Sequence, residues 1–221
     1  MNLAGANASV KIDRTAMGSE TTKPRPYRKR RRAEAEAQTR ERITEAAVAL
    51  HGSVGPARTT VSEVARRAGV QRATVYRHFP DEEALFGACT AHYWARHPAP
   101  DPSAWASLAD PRRRLERGLT EIYDWYSATQ AMLTATGRDA DRVPAMAQAT
   151  AAFLGYLEGV RSILLRGRRE RGHARRRVSA AAAHALDFAT WRSLVLAQGL
   201  DRDEAVRLMV GLVELAATRR R

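Results

Sequence analysis

The chain has 221 residues, a formal net charge of +13 and one cysteine. The lone Cys89 excludes an intrachain disulfide and fits a reducing cytosol, so we expect a cytoplasmic protein. The sequence has no run of about 18 apolar residues, which excludes a membrane-spanning helix. A basic excess of this size favours a polyanionic partner, but it does not choose between DNA, RNA and acidic lipid.

Residues 1–32 are predicted to form a disordered, basic N-terminal arm. They lack a periodic apolar face, and the basic stretch at the end contains two prolines, which oppose helix formation. Like charges in this stretch also repel one another. One interpretation is a solvated tail that only aids solubility. The other is an arm whose Arg28, Arg30 and Arg31 lie along DNA phosphates or enter the minor groove.

Residues 33–80 are predicted to form three helices. From about Ala33 to His51, apolar residues repeat with the period of a helix, and two short helices follow at about 61–68 and 71–78. Thr60 and Glu63 form a capping-box pair, and Gly69 falls where the turn between the short helices needs positive φ. The residues expected to face inward are Ile43, Ala46, Ala47, Leu50, Val64, Ala65, Ala68, Val70 and Val75. This pattern indicates a helix-turn-helix with a polar outer face.

A longer pattern runs through the same region and into the next helix. Its residues are Val64-Ala65-Arg66-Arg67-Ala68-Gly69-Val70, Thr74-Val75-Tyr76-Arg77-His78-Phe79-Pro80 and Ala84-Leu85-Phe86. The pattern resembles the DNA-binding signature of TetR-family transcriptional regulators, over a stretch that runs from about Gln38 to Thr90. The resemblance implies a three-helix DNA-binding domain, and a fourth helix that links it to a larger helical domain. That larger domain would bind a small effector and form the dimer.

We expect the outward side chains of the helix-turn-helix to contact double-stranded DNA. Base contacts are expected from Gln71 and Arg72, and a base or phosphate contact from Arg77. The full expected set on the helix-turn-helix is Thr60, Ser62, Gln71, Arg72, Ala73, Thr74, Tyr76, Arg77 and His78. Within it, Thr60, Thr74, Tyr76 and His78 are expected to hold phosphates.

The next helix departs from the family at its start. Asp81-Glu82-Glu83 stands where family members often carry a lysine that touches phosphate. Negative charge near the DNA backbone puts that contact in doubt, and the basic N-terminal arm could compensate.

Residues 81–221 are predicted to form a helical effector-binding and dimerisation domain, so the whole chain is expected to be all-α. Asp81 caps a helix that ends near Arg96, and a proline-rich break follows. Further helices are expected from Pro111 through Tyr126, near 129–136, from Pro144 to about Leu164, at about 178–198 and at about 202–218, with a loop at 137–142.

Aromatic side chains of this second domain are candidates for an effector pocket. They are Trp105, Tyr123, Trp125, Tyr126, Phe153 and Tyr156, with Trp125 and Tyr126 favoured first. The alternative is that they form a plain hydrophobic core. The resemblance favours a pocket for an effector whose chemical class the sequence does not give, because TetR-family regulators bind effectors between these helices.

The last two predicted helices are the candidate dimer interface. The residues expected on it are Leu186, Ala189, Ser193, Leu196, Val206, Met209, Val210 and Val213. A terminal helix with so much apolar surface needs cover from a second chain. A two-fold homodimer would place two recognition helices about 34–36 Å apart, so the operator should be an inverted repeat.

Seven arginines lie between Arg166 and Arg177, in what we predict is a basic connection between helices. They are Arg166, Arg168, Arg169, Arg171, Arg175, Arg176 and Arg177. Arginines on a solvated loop near a helix C-terminus explain them without any function. The alternatives are a second nucleic-acid contact or a site for an anionic effector.

Together these features predict a sequence-specific transcriptional regulator, a repressor that an effector releases from its operator. One alternative is a nucleoid-type protein that binds nucleic acid by bulk charge, without an effector. Another is an interaction module that has lost DNA binding. The sequence carries no phosphate-binding glycine loop and no zinc-ligand spacing, so we expect no enzyme activity, no cofactor and no metal.

Overall fold

The computed structural model describes residues 25–218, and every regular element in that range is helical. The expected all-α class is therefore confirmed for this part of the chain. The described residues fall into two compact units, one ending at Gln38 and one beginning at Thr39, and each is considered by itself. Within the described range, no helix has the length and apolar character needed to cross a membrane.

The first helix, α1, spans Arg25–Ser53, so it starts eight residues before the position expected from the sequence. Residues 25–32 are therefore helical, and the expectation of disorder there was wrong. Ion pairs one turn apart offset the repulsion among the basic groups: Arg30 Nε lies 3.0 Å from Glu34 Oε1, and Arg32 Nε lies 3.2 Å from Glu36 Oε1. Residues 1–24 lie outside the described residues, and disorder there stays a prediction.

Three short helices follow α1 and match the sequence prediction to within one residue. They are α2 at Val61–Ala68, α3 at Arg72–His78 and α4 at Glu82–Arg96. The start of α2 is fixed by Thr60, whose hydroxyl oxygen accepts the Glu63 N–H. The capping box is only half formed, because the Glu63 carboxylate pairs with Arg66 instead of turning back to Thr60.

Six further helices make up the rest of the second unit. They are α5 at Ser103–Ala106, α6 at Pro111–Asp139, α7 at Ala147–Leu164, α8 at Gly172–Leu186, α9 at Phe188–Trp191 and α10 at Arg202–Ala217. Short 3-10 turns occur at Pro56–Arg58 and Pro144–Met146, and a π-helical turn occurs at Arg192–Ala197. Helix α10 packs against both α8 and α6.

Helix α6 is one continuous helix, where the sequence had suggested two helices and a loop. The Thr129 hydroxyl donates back to the Trp125 carbonyl at 2.7 Å, and Thr136 does the same to Met132 at 2.7 Å. These bonds satisfy the hydroxyl groups within the helix. Gly137 costs a helix only about 1 kcal/mol relative to alanine, which packing along α6 offsets.

The C-terminal region is more broken than expected. The helix expected at 178–198 ends at Leu186, because Asp187 has extended backbone and caps α9 by accepting the Ala189 N–H at 2.7 Å. Its start also differs, since α8 begins at Gly172 and includes part of the basic stretch that we expected to be a loop.

Two buried hydrophobic clusters lie in the second unit. The first contains Ile43, Ala46, Ala47, Leu50, Val64, Ala65, Ala68, Val75, Phe79, Leu85 and Cys89. The second is larger and joins α5 through α10, with Trp105, Leu119, Tyr123, Tyr126 and Trp191 at its centre. The first cluster holds the helix-turn-helix, and the second holds the helices that follow it.

Candidate DNA-binding surface and ligand cavity

Helices α2 and α3 form the helix-turn-helix, and their turn is built around Gly69. Its φ is +67°, which is the left-handed region that glycine adopts at little cost. The next residue, Val70, donates its N–H to the Ala65 carbonyl at 3.0 Å and closes the turn. Val64 on α2 and Val75 on α3 are buried, so the two helices are fixed against one core.

The outer face of α3 is exposed over its whole length. Gln71, Arg72, Ala73, Tyr76 and Arg77 are exposed to solvent. Of the other residues expected at the DNA, Thr60 and Ser62 are exposed near the start of α2, whereas Thr74 and His78 are partly buried. The fold therefore leaves donors, guanidinium groups and a phenol on one accessible helix face, which suits a groove edged by phosphates.

The end of α3 is held by a residue that the sequence analysis missed. Arg40 on α1 donates from Nη1 to the His78 carbonyl at 2.7 Å, and its guanidinium lies 4.1 Å from the centre of the Phe79 ring. A cation over an aromatic ring and a bond to a C-terminal carbonyl both stabilise this helix end. The pairing spans 38 residues, so no local pattern could have revealed it.

The acidic start of α4 has a structural role. Asp81 Oδ1 accepts the Ala84 N–H at 2.7 Å and so caps the helix. Glu82 and Glu83 are exposed in the first turn, where carboxylates favour the helix dipole. These residues stabilise α4, and none of them replaces a phosphate-binding lysine.

The arginines expected to contact DNA from the N-terminal arm lie on the first turns of α1. Arg28, Arg30 and Arg31 are all exposed. Arg30 pairs with Glu34, and the Arg31 guanidinium lies 6.0 Å from the Tyr27 ring centre. They are helical side chains and do not belong to an extended arm.

A cavity of about 550 Å³ lies in the second unit, within the range that holds small-molecule ligands. Helix α1 contributes Val48 and His51, and the other lining residues come from α4, α6, α7 and the region around α9. The main apolar ones are Phe86, Trp94, Met132, Leu133, Met146, Phe153 and Phe188. One wall of this cavity is therefore the same α1 that packs against the helix-turn-helix.

The polar groups on the cavity wall fall into neutral and charged sets. Burial lowers the pKa of His51 to about 4, so its imidazole is neutral at pH 7. Burial also raises the pKa of the Cys89 thiol to about 12, which leaves it protonated and unreactive. The charged wall groups in the described part of the chain are the guanidinium groups of Arg138 and Arg192 and the carboxylate of Asp187.

Residues 43–89 match the family model described as bacterial regulatory proteins, tetR family. The resemblance to TetR-family regulators is therefore confirmed for the helix-turn-helix region. The chain is also 44% identical over 52 residues to uncharacterized HTH-type transcriptional regulators of Mycobacterium tuberculosis and Mycobacterium bovis. That match covers 23% of this chain and only 28% of each relative, so the likeness to these regulators is limited to a short region.

Solved structures share the fold over most of this chain. A TetR-like regulator from Rhodococcus sp. RHA1 aligns with a TM-score of 0.59 at 17% identity, over 81% of this chain and 97% of its own. NalD of Pseudomonas aeruginosa, the secondary repressor of the MexAB-OprM multidrug efflux pump, aligns with a TM-score of 0.55 at 20% identity. The alignment covers 83% of this chain and 97% of NalD. FadR of Bacillus subtilis, solved with stearoyl-CoA, aligns with a TM-score of 0.52 at 18% identity. The alignment covers 80% of this chain and 97% of FadR.

Five of the six aromatic residues expected to line a pocket do not line this cavity. Phe153 does, whereas Trp105, Tyr123, Trp125, Tyr126 and Tyr156 pack in or against the second core. Four of the five donate to backbone carbonyls: for example, Tyr123 donates to Ala185 at 2.9 Å and Tyr126 to Leu186 at 2.6 Å. The plain-core alternative describes these five residues, because they pack in or against the second core and not on the cavity wall.

The apolar face expected to form the dimer is largely buried within the chain itself. Leu186, Val206, Met209, Val210 and Val213 are all less than a tenth exposed. Ala189, Ser193 and Leu196 are exposed. The sequence showed an apolar helix but not which side of it the chain's own core would cover.

A second apolar stripe on α10 is exposed in the part of the chain that the structure describes. Leu208, Leu212 and Leu215 follow one another at helical spacing and are 50%, 37% and 68% exposed. Helix α8, which packs against α10, carries small residues that are not buried: Ala180 is exposed and Ala183 partly so. Large apolar side chains exposed along one helix are typical of surfaces that pack against a partner.

Two of the seven arginines between Arg166 and Arg177 have structural roles. Arg168 has a side chain only 9% exposed and donates to Glu214 on α10 at 2.9 Å. Arg177 donates to the Ala216 and Thr218 carbonyls at the end of α10, where a cation also favours the helix dipole. These two residues join α8 and its preceding turn to α10, which a solvated loop would not do.

Proposed function

We propose that this chain is a sequence-specific DNA-binding regulator of transcription, which acts as a repressor and leaves its operator when a small molecule fills the cavity. The observation that carries the proposal is the exposed face of α3, held in helix-turn-helix geometry by Gly69, Val75 and Arg40. The match to the tetR family model supports it, because the matched residues 43–89 contain both helices of the motif.

On DNA, α3 would lie in the major groove. Gln71 and Arg72 stand at its N-terminal end, where recognition helices commonly meet base edges, and Arg77 reaches a base or a phosphate. The exposed Thr60, Ser62, Ala73 and Tyr76 and the partly buried Thr74 and His78 are proposed to set the position of the protein on the duplex. Arg28, Arg30 and Arg31 would add salt-sensitive affinity to any sequence.

The cavity is the proposed effector site. Its walls include α1 and α4, so a molecule bound there contacts the helices that support the helix-turn-helix. Arg96 at the end of α4 also pairs with Glu45 on α1 at 3.2 Å, which joins the two helices on their outer side. FadR, which shares the fold, was solved with stearoyl-CoA, and this supports an effector with a large apolar part.

The regulator is proposed to act as a homodimer through the outer faces of α8 and α10. The exposed Leu208, Leu212 and Leu215 replace the buried residues expected from sequence. A two-fold dimer presents two copies of α3 to successive major grooves, so the operator is an inverted repeat.

The test is selection of the full-length protein on random DNA fragments at about 0.15 M salt, followed by sequencing. The proposal expects an enriched inverted repeat, and Arg72→Ala should abolish its enrichment. Arg113→Ala is the matched control, because this exposed arginine lies on α6 and outside the motif. Retention of fragments without a shared motif would support charge-driven binding instead, and no retention would support an interaction module.

A further inference from the structure

The C-terminal end of α6 touches both the cavity and the connection that follows α1. Arg138 lines the cavity and donates from Nη2 to the Val54 carbonyl at 2.9 Å. It also donates from Nε to Asp139 Oδ1 at 2.8 Å and from Nη2 to Asp139 Oδ2 at 3.0 Å. Asp139 in turn accepts the Ala57 N–H at 3.0 Å. This Arg138–Asp139 pair therefore holds residues 54–57, which lead into the helix-turn-helix.

The connection is shaped around this pair. Gly55 has φ +94°, and a Cβ on it would overlap both Arg138 Nη2 and Asp139 Oδ2. Asp139 is 1% exposed, yet its pKa is lowered to about 2 by the bond from Arg138 and, to a lesser degree, by the Ala57 N–H. A buried carboxylate that depends on one guanidinium is costly to leave without it. Movement of Arg138 would therefore disturb residues 54–57.

Arg138 can also meet a ligand. Its side chain is 44% exposed, and it shares the cavity wall with Arg192. The opposing wall carboxylate, Asp187, is already engaged as the cap of α9. The described walls thus combine an apolar surface with two guanidinium groups and one carboxylate. Guanidinium groups match the two oxygens of a carboxylate or phosphate, so this composition favours an apolar molecule with an anionic head.

We propose that the effector is an apolar molecule with a single anionic head group. Arg138 binds this head group, breaks its hydrogen bonds with Asp139 and so releases residues 54–57. The inference rests on the proposed function, since the released segment matters only if the helix-turn-helix binds DNA. An uncharged molecule of the same shape fills the cavity without competing for Arg138. The charge of the head group, and not filling of the cavity alone, then decides whether DNA affinity falls. A ligand changes DNA affinity only if it binds the state with residues 54–57 released more tightly than the state with them held.

The experiment uses straight-chain carboxylates from octanoate to hexadecanoate, each beside the alcohol of equal length. Binding to the full-length protein is measured by calorimetry, and affinity for the selected operator is measured with and without each probe. We expect the best carboxylate to bind at least about tenfold more tightly than its alcohol, as one charged hydrogen-bond pair provides. It should also weaken operator binding by about tenfold or more, and the alcohol should not.

Arg138→Met removes the guanidinium and keeps the length of the side chain. It should bring carboxylate and alcohol to equal affinity and abolish the effect of the carboxylate on DNA. Asp139→Asn frees Arg138 from its competitor, so carboxylate binding should tighten while the DNA response shrinks. Arg113→Met, on the exposed start of α6, is the matched control and should behave like the unchanged protein. If Arg138→Met unfolds, Arg138→Lys replaces it. Lysine keeps the charge but loses the two-pronged geometry, so the preference for the carboxylate over the alcohol should shrink without vanishing.

Equal binding of carboxylates and alcohols by the unchanged protein overturns the proposal, as does absence of binding across the series. Unchanged discrimination in the Arg138 variants overturns it as well. Failure of the proposed function gives a different result: the protein without any probe then selects no operator, while head-group discrimination through Arg138 is still measurable by calorimetry.

Discussion

The pH dependence of folding stability tests whether His51, on the wall of the cavity, is buried and neutral. His51 lies at the end of α1, is 7% exposed, and its ring centre lies 5.3 Å from that of Phe86 on α4. Burial lowers its pKa from 6.5 to about 4, so the folded protein keeps this imidazole neutral under conditions where the unfolded chain protonates it. The perturbation is a fall in pH, compared between the unchanged protein and His51→Phe.

The sign and size follow from the two pKa values. Above pH 6.5 the imidazole is neutral in both states and contributes no pH dependence. As the pH falls below 6.5 the unfolded chain takes up a proton that the folded protein refuses, so stability drops until about pH 4, where the folded form also accepts it. At roughly 1.4 kcal/mol per pH unit, the loss over this window approaches about 3 kcal/mol.

The assay is urea unfolding at several pH values from 7.5 to 4.5, read by helical circular dichroism. Carboxylates titrate in both proteins and cancel in the difference between them. We expect His51→Phe to lose less stability than the unchanged protein on acidification, by about 2–3 kcal/mol. Met146→Leu, which alters the same cavity without a titratable group, should follow the unchanged protein. Parallel pH curves for His51→Phe and the unchanged protein would refute the argument that His51 is buried and neutral.

Further substitutions test the turn, the core and the dimer face. Gly55→Ala should lower the free energy of unfolding by more than about 2 kcal/mol, because Gly55 has positive φ and an added Cβ would overlap the Arg138–Asp139 pair. Gly87→Ala is the contrast: Gly87 faces open space on α4, so the change should raise the free energy of unfolding by about 0.5–1 kcal/mol in the same urea titration. Leu119→Ala should cost about 3–5 kcal/mol by the same measurement because the side chain is fully buried, and a loss under 1 kcal/mol would contradict that packing. Leu212→Lys should give monomers in sedimentation equilibrium with little change in helical content, and persistence of dimers would place the interface elsewhere.

The helix-turn-helix was predictable because its determinants are local. Thr60 caps α2 three residues away, Gly69 sets the turn, and Asp81 caps α4. Each of these interactions joins residues close in sequence, so residue type and spacing were sufficient to place α2, α3 and α4 within one residue. The family resemblance depended on the same short stretch, and the family match of residues 43–89 confirmed it.

The start of α1 and the continuity of α6 were predicted less well, although their causes are also local. Basic residues and prolines near position 25 argued against helix, but glutamates one turn away supply counter-charges. In α6, hydroxyl bonds within the helix removed the reason for a break near Thr129. In both places some residues favour a helix and others oppose it, and helix propensity alone could not decide which would prevail.

The sequence by itself determined the all-α class, the helix-turn-helix and the candidate face of α3. Only the tertiary structure decided that Tyr123 and Tyr126 belong to the core and that the uncovered side of α10 carries Leu208 and Leu212. Periodicity shows that a helix has an apolar face, but when apolar residues surround much of it, the side that is buried depends on which neighbouring helices pack there. The Arg138–Asp139 pair was invisible for the same reason, because its partners lie more than 80 residues away in the chain.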